Sequence, residues 1–305
     1  FKKIPCVEVD LDPDMERELN IRLNRNTGEW DWDALANYFD VGELTEWGFA
    51  EDELQFWAEE PLSGLIDEDE IPEVEEAVTK AGDMWILGEH RVLCGDATNK
   101  GNVDALMGGQ KADMVFTDPP YGFNYVKKSD GSSIQNDGLE FEQIIAKALS
   151  NIDIDTAYVC GDAKTAGAFL RATSSLGEPK SCIVWIKPIQ HRMHRYEPCH
   201  ELIWYWGDNG SPFYGTNVFE AKREIKKFHP TIKPIELIDY CLGSHSDKKS
   251  ILDLFLGSGS TLIACEKTNR KCYGMEIDPH YCDVIVKRWE EYTGNKAERI
   301  EAASA

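Results

Sequence analysis

Short apolar runs alternate with amphipathic segments from about residue 83 to residue 292. The runs are rich in β-branched and aromatic residues, which predicts strands, and the segments between them carry apolar positions at helical spacing. We predict strands within 85–97 and over 112–116, 157–161, 181–187, 201–206, 213–219, 250–255 and 271–276, and helices over 139–150, 164–176, 234–243, from 260 and over 279–292. This alternation predicts an α/β fold with a doubly wound, largely parallel sheet.

The chain before this pattern has a different character. Apolar positions at helical spacing over 30–39, followed by Gly42 and Gly48, predict short helices. Residues 58–82 are acidic and lack aromatic side chains, which is typical of a solvated linker. We therefore divide the chain into a small helical, acidic N-terminal segment (1–57), an acidic linker (58–82) and a main domain (83–305).

The net charge of −23 is concentrated at the start of the chain. Residues 1–83 carry 25 acidic and 6 basic side chains, whereas residues 84–305 carry 30 acidic and 26 basic ones. The main domain is therefore close to neutral. The acidic average does not argue against a polyanionic partner, because the local charge sets such an interaction.

No stretch resembles a signal peptide, and no apolar run approaches the ~20 residues of a membrane span. We therefore expect a soluble cytoplasmic protein without a membrane partner. Nine cysteines are present without a Cys-x-x-Cys pair, and several lie inside apolar runs. We expect buried thiols rather than disulfides, and no metal site.

The first candidate site lies at residues 117–122, Thr-Asp-Pro-Pro-Tyr-Gly, directly after the second predicted strand. Asp118 then lies at the carboxyl end of a strand, where open α/β sheets place their ligand crevices. Pro119 and Pro120 have fixed φ angles and no N–H, so their carbonyls are held in place as acceptors. Together with the ring of Tyr121 they form a clamp for a flat, amine-bearing group, although Asp-Pro is also common turn chemistry.

The second candidate site is a glycine turn between a strand and a helix, with Gly257 and Gly259 at its centre. Glycines let a ligand approach the backbone, and a helix N-terminus favours negative charge. Leu262 stands where a dinucleotide fingerprint has its third glycine or alanine, which argues against that fingerprint. Glu276 ends the next strand, where a carboxylate can accept both ribose hydroxyls. An adenosine joined to an amino acid fits this pattern better than a dinucleotide.

Four motifs resemble the amino-methyltransferases of DNA, and the position of the catalytic motif ahead of the cofactor turn resembles their β class. The motifs are Asp-Pro-Pro-Tyr at 118–121, His-Pro-Thr-Ile-Lys-Pro at 229–234, Phe-Leu-Gly-Ser-Gly-Ser-Thr at 255–261, and Glu276. The resemblance covers about residues 84–293. It implies a Rossmann-like, S-adenosylmethionine-dependent methyltransferase fold with a permuted motif order.

The resemblance implies S-adenosylmethionine as the cofactor and assigns residues to it. The implied cofactor-binding residues are Asp96 at the adenine, Glu276 at the ribose, Asp253 at the amino group, Thr231 and Lys233 at the carboxylate, Gly257 and Gly259 along the methionine part, and Ala97, Phe255, Ser260, Thr261 and Asp278 beside them. The implied catalytic residues are Asp118, Pro119, Pro120 and Tyr121.

The resemblance also implies the reaction. An exocyclic amine would donate its hydrogens to the Asp118 carboxylate and the Pro119 carbonyl, which turns its lone pair toward the methyl group. The target base must leave the duplex, and Tyr121, with Phe123 or Tyr125, would stack on it. Related enzymes that act on cytosine more often carry Ser in place of Asp118, so we expect adenine N6 in DNA as the target.

Two basic clusters flank the catalytic core, in loops near 187–200 and 222–233. They predict contacts to DNA phosphates, with a solvated charged face as the alternative. The predicted nucleic-acid contacts are Lys187, His191, Arg192, His194, Arg195, Lys222, Arg223, Lys226 and Lys227. The histidines of the first cluster match no usual zinc-site spacing.

Specificity and partners are the next expectations. Residues 207–228 leave only about twenty positions where related β-class enzymes often carry a recognition module. Either the recognised site in double-stranded DNA is short or relaxed, or the N-terminal segment or a second subunit supplies specificity, and we expect a preference for very few bases. The pattern Leu-Asn-Arg-x-x-Gly-Glu-Trp at 23–30 resembles the tail of the ParB-like domain that often precedes phage and mobile-element methyltransferases. Residues 1–57 would then be a truncated remnant of that domain, with a plain helical adaptor as the alternative. A homodimer and a restriction or phage partner are expected by analogy.

Several alternatives stay open. The same fold could methylate cytosine N4, or adenine in RNA. A non-catalytic DNA-binding adaptor is a different class, against which the intact catalytic motif and glycine turn argue. A nicotinamide-dependent enzyme is a third class, which Leu262 and the double proline disfavour.

Overall fold

The computed structural model describes the chain in segments that form two units. The described residues are Met15, Leu19, 41–49, 64–123, 140–187, 199–207, 215–220, 233–245 and 247–302. One unit holds residues 1–60 with 212–214, and its described part contains a short helix, α1 (Val41–Glu46), with Leu44 buried. The helix predicted over 30–39 lies outside the described residues.

The second unit carries the alternating strands and helices that the sequence predicts. Its strands are β1 (Met84–Leu87), β2 (His90–Cys94), β3 (Met114–Thr117), β4 (Ala157–Gly161), β5 (Ser181–Ile186), β6 (His200–Trp206), β7 (Val218–Glu220), β8 (Ser250–Asp253), β9 (Lys271–Glu276) and β10 (Glu298–Ile300). Its helices are α2 (Lys100–Met107), α3 (Phe141–Ser150), α4 (Ala166–Ala172), α5 (Ile235–Gly243), α6 (Ser260–Lys267) and α7 (Pro279–Thr293).

All ten strands of the described residues join one sheet, in the order β10-β1-β2-β9-β8-β3-β4-β6-β5-β7. The five central strands, from β2 to β4 in this order, are parallel, and antiparallel pairs lie toward both edges. β3 and β8 are neighbours although more than 130 residues separate them in sequence. The predicted Rossmann-like α/β fold with a largely parallel sheet is confirmed.

The hydrophobic core lies on both faces of the sheet. In β3, Met114 and Phe116 pack into one buried cluster, whereas Val115 packs into the other. Successive side chains of a strand point to opposite faces, so a strand buried on both faces is apolar throughout. This explains the unbroken apolar run before Asp118, and it fixes where that run ends.

Four local elements differ from the sequence prediction. The strand expected over 213–219 is limited, among the described residues, to Val218–Glu220, since residues 215–217 are not in a strand. The single strand expected within 85–97 is a hairpin, because Gly88 has a φ of +59° and turns the chain between β1 and β2. Helix α2 was not predicted, yet Asn99 caps it by accepting from Gly101 N, and Gly108 ends it in the left-handed region. Strand β10 was also missed, since three residues carry too little pattern.

The acidic linker expected over 58–82 is packed on the main domain where it is described, from residue 64 onward. Asp283 accepts hydrogen bonds from the backbone of Val78 and from the backbone and hydroxyl of Thr79. Glu68 forms an ion pair with Lys267 at 2.9 Å. These partners come from two helices distant in sequence, which composition alone does not reveal.

The part of the chain that the structure describes contains no helix that is long and apolar enough to cross a membrane. Its eight cysteines are free thiols, of which six are buried, as the sequence predicts. Within the same residues, no group of three or more His, Cys, Asp or Glu side chains is arranged to hold a metal ion.

Candidate active site

The candidate site lies where β3, β8 and β9 end. These strands are parallel, so their carboxyl ends meet at one edge of the sheet. β3 leads into Asp118, β8 ends at Asp253, and β9 ends at Glu276. Three carboxylates that are far apart in sequence are thereby brought to one side of the sheet.

The carboxylate of Asp118 is held from both sides. Its Oδ1 accepts from the hydroxyl of Tyr121 at 2.6 Å, and its Oδ2 accepts from Nζ of Lys233 at 2.6 Å. The Asp118 side chain is 25% exposed, whereas that of Lys233 is only 5% exposed. The turn after the two prolines requires a glycine, because Gly122 has a φ of +82° and a Cβ there would lie 2.5 Å from the Phe141 ring.

Lys233 is buried between two carboxylates. Besides Asp118 it contacts Glu201 of β6, with Nζ 3.0 Å from Oε2. Burial alone would lower the pKa of Lys233, but the attraction of Asp118 and Glu201 outweighs burial and raises it far above its usual value. The sequence assigns Lys233 to a cofactor carboxylate, whereas the structure pairs its ammonium with Asp118 and Glu201.

Two aromatic side chains line the approach to Asp118. The rings of Tyr121 and Phe123 meet edge to face with centroids 6.2 Å apart, and Nζ of Lys164 lies 5.6 Å above the Phe123 ring. Phe123 is 46% exposed. Tyr125, the other predicted stacking residue, lies outside the described residues.

Asp253 joins the catalytic motif to the glycine turn. Its Oδ1 accepts from Thr117 Oγ1 at 2.7 Å and from Phe255 N at 3.0 Å, and its Oδ2 accepts from Thr261 Oγ1 at 2.6 Å. Burial raises the pKa of Asp253 to about 6, against the lowering effect of these hydrogen bonds. Asp253 is 2% exposed, so its observed contacts are those of a residue that shapes the turn. Thr117 is a site residue that sequence analysis did not assign.

Glu276 holds the other side of the glycine turn. Its Oε2 accepts from Gly257 N at 2.8 Å, and its Oε1 accepts from Asp278 N at 2.9 Å. Burial raises the pKa of Glu276 to about 7. Gly257 has a φ of +55°, and a Cβ at this position would meet nothing within 4 Å, so the turn is open on the side where a ligand can approach.

The remaining predicted cofactor residues lie around this turn. Asp96 follows β2 and is exposed, while Ala97 next to it is buried. Gly95 N donates to the Glu276 carbonyl at 2.9 Å, which ties the Asp96 turn to the end of β9. Gly259, Ser260 and Thr261 are buried at the start of α6, Phe255 is half-buried beside them, and Asp278 caps α7.

Eight of the nine predicted nucleic-acid contacts lie outside the described residues: His191, Arg192, His194, Arg195, Lys222, Arg223, Lys226 and Lys227. Thr231, a predicted cofactor-binding residue, also lies outside them. Lys187 is described, and its Nζ pairs with Oε1 of Glu201 and lies 5.1 Å from the Trp185 ring centroid. A residue assigned to DNA phosphates is thus joined through Glu201 to the Lys233 cluster.

Two further residues of the site carry no motif. Glu201 lies in β6 and bridges Lys187 and Lys233. Arg288 of α7 is 1% exposed, and its guanidinium donates to Ser258 O at 3.0 Å and to Glu68 O at 2.8 Å. In each case the sequence shows only a charged residue among apolar ones. That pattern does not indicate which residue the charged side chain contacts.

Fold and site together define a doubly wound α/β protein with an acid–lysine cluster beside an open glycine turn. Residues 206–287 match the profile of the N6/N4 methyltransferase family, described as DNA methylase. The match runs from the last residue of β6 into α7, which includes the glycine turn and Glu276 but not Asp118.

Curated relatives are similar over part of the chain. The Type II methyltransferase M.Cfr9I of Citrobacter freundii is 33% identical over 99 residues, which is 32% of this chain and 29% of that protein. The Orphan methyltransferase M.BamHII of Bacillus amyloliquefaciens is 37% identical over 65 residues, which is 21% of this chain and 24% of that protein. The alignments thus span less than a third of the length of either relative.

Solved structures with a similar course of the chain include two methyltransferase structures. The M1.HpyAVI–SAM complex has a TM-score of 0.48 at 20% identity and covers 65% of this chain and 97% of its own. The PvuII DNA methyltransferase, named as cytosine-N4-specific, has a TM-score of 0.47 at 17% identity and covers 66% of this chain and 86% of its own.

Proposed function

We propose that this protein is a DNA methyltransferase that moves a methyl group from S-adenosylmethionine to the exocyclic N6 of a flipped-out adenine. The observation that carries the proposal is the Asp118 carboxylate, fixed between Tyr121 and Lys233 at the end of β3 and joined through Thr117 and Asp253 to the glycine turn. An acceptor for an amine and a candidate cofactor turn are thereby parts of one hydrogen-bonded unit.

The glycine turn fits S-adenosylmethionine. The open side of Gly257 leaves room for the methionine part, and the Glu276 carboxylate at the turn has the chemistry to accept ribose hydroxyls. Asp96 is exposed beside this turn, where its carboxylate can accept from an adenine amine. When bound, S-adenosylmethionine supplies the methyl group together with a sulfonium leaving group.

The residues of the catalytic motif then position the target amine. Its two hydrogens are donated to a carboxylate oxygen of Asp118 and to the carbonyl of Pro119, so the nitrogen lone pair is directed at the methyl group. The hydrogen bond from Tyr121 and the ion pair with Lys233 keep the Asp118 carboxylate in one orientation. Tyr121 and Phe123 offer ring faces on which an extruded base stacks, at about 1–3 kcal/mol per base.

Adenine N6 in double-stranded DNA is the finer part of the proposal. The choice of adenine rests on Asp118. Related enzymes that methylate cytosine more often have Ser at this position of the motif. The short stretch available for recognition goes with a short or relaxed target sequence. A homodimer, a restriction or phage partner and the ParB-like origin of 1–57 stay predictions.

The test is methyl transfer to unmethylated duplex DNA. The full chain is incubated with labelled S-adenosylmethionine, and the DNA is digested and analysed by nucleoside mass spectrometry. We expect N6-methyladenine, and we expect Asp118→Ala to lower its rate of formation at least about 10²-fold, as loss of a transition-state contact does. Asp104→Ala removes a carboxylate in an exposed ion pair on α2 and serves as the matched control, with an unchanged rate.

Other products would change the proposal in defined ways. N4-methylcytosine would keep the chemistry of Asp118 and replace the target base. Methyl transfer to RNA but not to DNA would replace the substrate. Calorimetry that detects binding of neither S-adenosylmethionine nor NAD would favour the non-catalytic adaptor, and binding of NAD alone would favour a dehydrogenase.

A further inference from the structure

Glu201 is a buried carboxylate that no motif of the proposed reaction includes. It lies in β6 opposite Trp185 of β5, and its side chain is 9% exposed. Its Oε1 pairs with Nζ of Lys187, and its Oε2 lies 3.0 Å from Nζ of Lys233. Burial acts to raise the pKa of Glu201, but Lys233 and Lys187 outweigh burial and lower it, so the side chain is an anion.

The contact between Glu201 and Lys233 bears on Asp118. The Lys233 ammonium lies 2.6 Å from Asp118 Oδ2 and 3.0 Å from Glu201 Oε2, so a single cation serves two anions. Attraction toward Glu201 opposes attraction toward Asp118. Inside a protein such pairs interact far more strongly than in water, so the second carboxylate determines how fully the lysine neutralises the first.

The oxygen of Asp118 that Lys233 contacts also matters for the proposed chemistry. Oδ1 already accepts from the Tyr121 hydroxyl, so both oxygens have a partner before a base arrives. A carboxylate has about four lone-pair positions, which leaves room for the hydrogens of an amine. Its strength as an acceptor for that amine nevertheless falls as the lysine neutralises it more completely.

We propose that Glu201 is a positioning residue for methyl transfer, which shares the Lys233 ammonium with Asp118 and so keeps Asp118 a strong acceptor for the target amine. This inference rests on the proposed function. It makes Glu201 necessary for the rate of the chemical step, although Glu201 itself touches neither the cofactor nor the base.

The first test concerns Glu201→Gln, which keeps the shape of the side chain and removes its charge. We expect kcat to fall about tenfold, equivalent to about 1.4 kcal/mol in the barrier, with KM for DNA and for S-adenosylmethionine within about twofold of the natural chain. Glu201→Asp keeps the charge and is expected to recover part of kcat. A purely structural role would lower thermal stability and leave kcat of the folded fraction unchanged.

A double variant separates the two lysines that Glu201 contacts. Glu201→Gln also leaves Lys187 without this carboxylate, so a loss of activity could arise from either lysine. In Glu201→Gln with Lys187→Gln the second cation is gone, while Lys233 still faces Asp118 alone. We expect kcat to stay as low as in Glu201→Gln, and recovery of kcat in the double variant would overturn the role of Lys233.

A readout without catalysis separates failure of this inference from failure of the proposed function. Lys233 labelled with ¹⁵N at Nζ reports the exchange of its ammonium hydrogens with water by NMR in the full chain at neutral pH. We expect this exchange to be faster in Glu201→Gln, since one of two neighbouring anions is gone. Unchanged exchange overturns the shared lysine whether or not the protein methylates DNA. Lack of methyl transfer by the natural chain overturns the proposed function alone.

Discussion

Glu276 combines deep burial with a position at the open glycine turn. Its pKa is raised to about 7 by burial, so in the ligand-free protein it takes up a proton near neutral pH. In the proposed function, ribose hydroxyls donate to the ionised carboxylate, and binding below the pKa therefore requires loss of that proton. Affinity for the cofactor is expected to fall as the pH falls through 7.

The magnitude of this effect follows from the titration. We predict that the Kd for S-adenosylmethionine rises about tenfold between pH 8 and pH 6, as one pKa unit corresponds to about 1.4 kcal/mol. Isothermal titration calorimetry measures it directly. Glu276→Gln is the control, expected to bind weakly with a Kd that is constant over this range. Asp253, with a pKa of about 6, contributes mainly below that range. A constant Kd in the natural chain would remove Glu276 from the ribose site.

For single residues, the sequence predicts which ones belong to the candidate site but not which side chains they contact. Asp118 and Glu276 were predicted as site residues because each follows a recognisable strand in a motif. The ion pair between Asp118 and Lys233 joins residues 115 positions apart, and Glu201 lies in no motif at all. Such contacts depend on which strands become neighbours in the sheet, which local sequence pattern does not encode.

At the scale of single elements, helix α5 is capped by a residue from the acidic segment. Asp69 Oδ1 accepts from Ile235 N, the first amide of the helix, at 3.1 Å. Pro234, which precedes that amide, has no side-chain oxygen to cap with. The capped amide of Ile235 lies two residues after Lys233, so the cap fixes the start of the helix next to the ion pair between Lys233 and Asp118.

Removal of this cap has a predictable effect on stability. We predict that Asp69→Ala lowers the free energy of unfolding by about 1 kcal/mol, the usual loss for a helix cap. Urea denaturation followed by circular dichroism measures the change. Glu70→Ala removes an exposed carboxylate from the adjacent position and is expected to stay within about 0.5 kcal/mol of the natural chain. Equal losses in both variants would mean that general charge, not the cap, is responsible.

Elements were predictable from sequence where the pattern was long. The sequence predicts the ends of helix α7 and strand β9 to within one residue, because the apolar pattern extends along the whole of each element. The sequence pattern predicts one strand in place of the hairpin of β1 and β2, because the turn contains only Gly88 and Glu89. Helix α2 has a weak apolar face, so periodicity does not predict it, although Asn99 caps its start.

At the scale of the whole molecule, composition does not predict the contacts of segment 64–82 with the main domain. Its many acidic residues predict a solvated segment, and local sequence pattern does not identify their partners. The Glu68 carboxylate pairs with Lys267, and the Glu68 backbone carbonyl accepts from Arg288; both partners lie about 200 residues later in the chain. A segment that composition describes as a linker is therefore bonded to the helices that follow the glycine turn and β9.

The contacts of Asp283 with this segment allow its contribution to stability to be measured. Asp283 is 6% exposed, and its carboxylate accepts from Val78 N, Thr79 N and the Thr79 hydroxyl. Without residues 61–82 these three donors are lost, and the carboxylate must recruit water or stay unpaired. Leaving a buried charged group without its hydrogen bonds costs about 2–3 kcal/mol.

Two shortened chains test this contribution, one comprising residues 61–305 and the other 83–305. We predict that the shorter chain melts about 5–10 °C below the longer one, since each kcal/mol shifts the midpoint of a domain of this size by about 2–4 °C. Differential scanning calorimetry gives both midpoints under the same conditions. Replacing Asp283 by Asn should lower the midpoint of the longer chain and change that of the shorter chain far less, because the donors are present only in the former. Equal midpoints for the two shortened chains would mean that the acidic segment is a linker that does not stabilise the main domain. The cap that Asp69 provides to α5 would then contribute nothing measurable either.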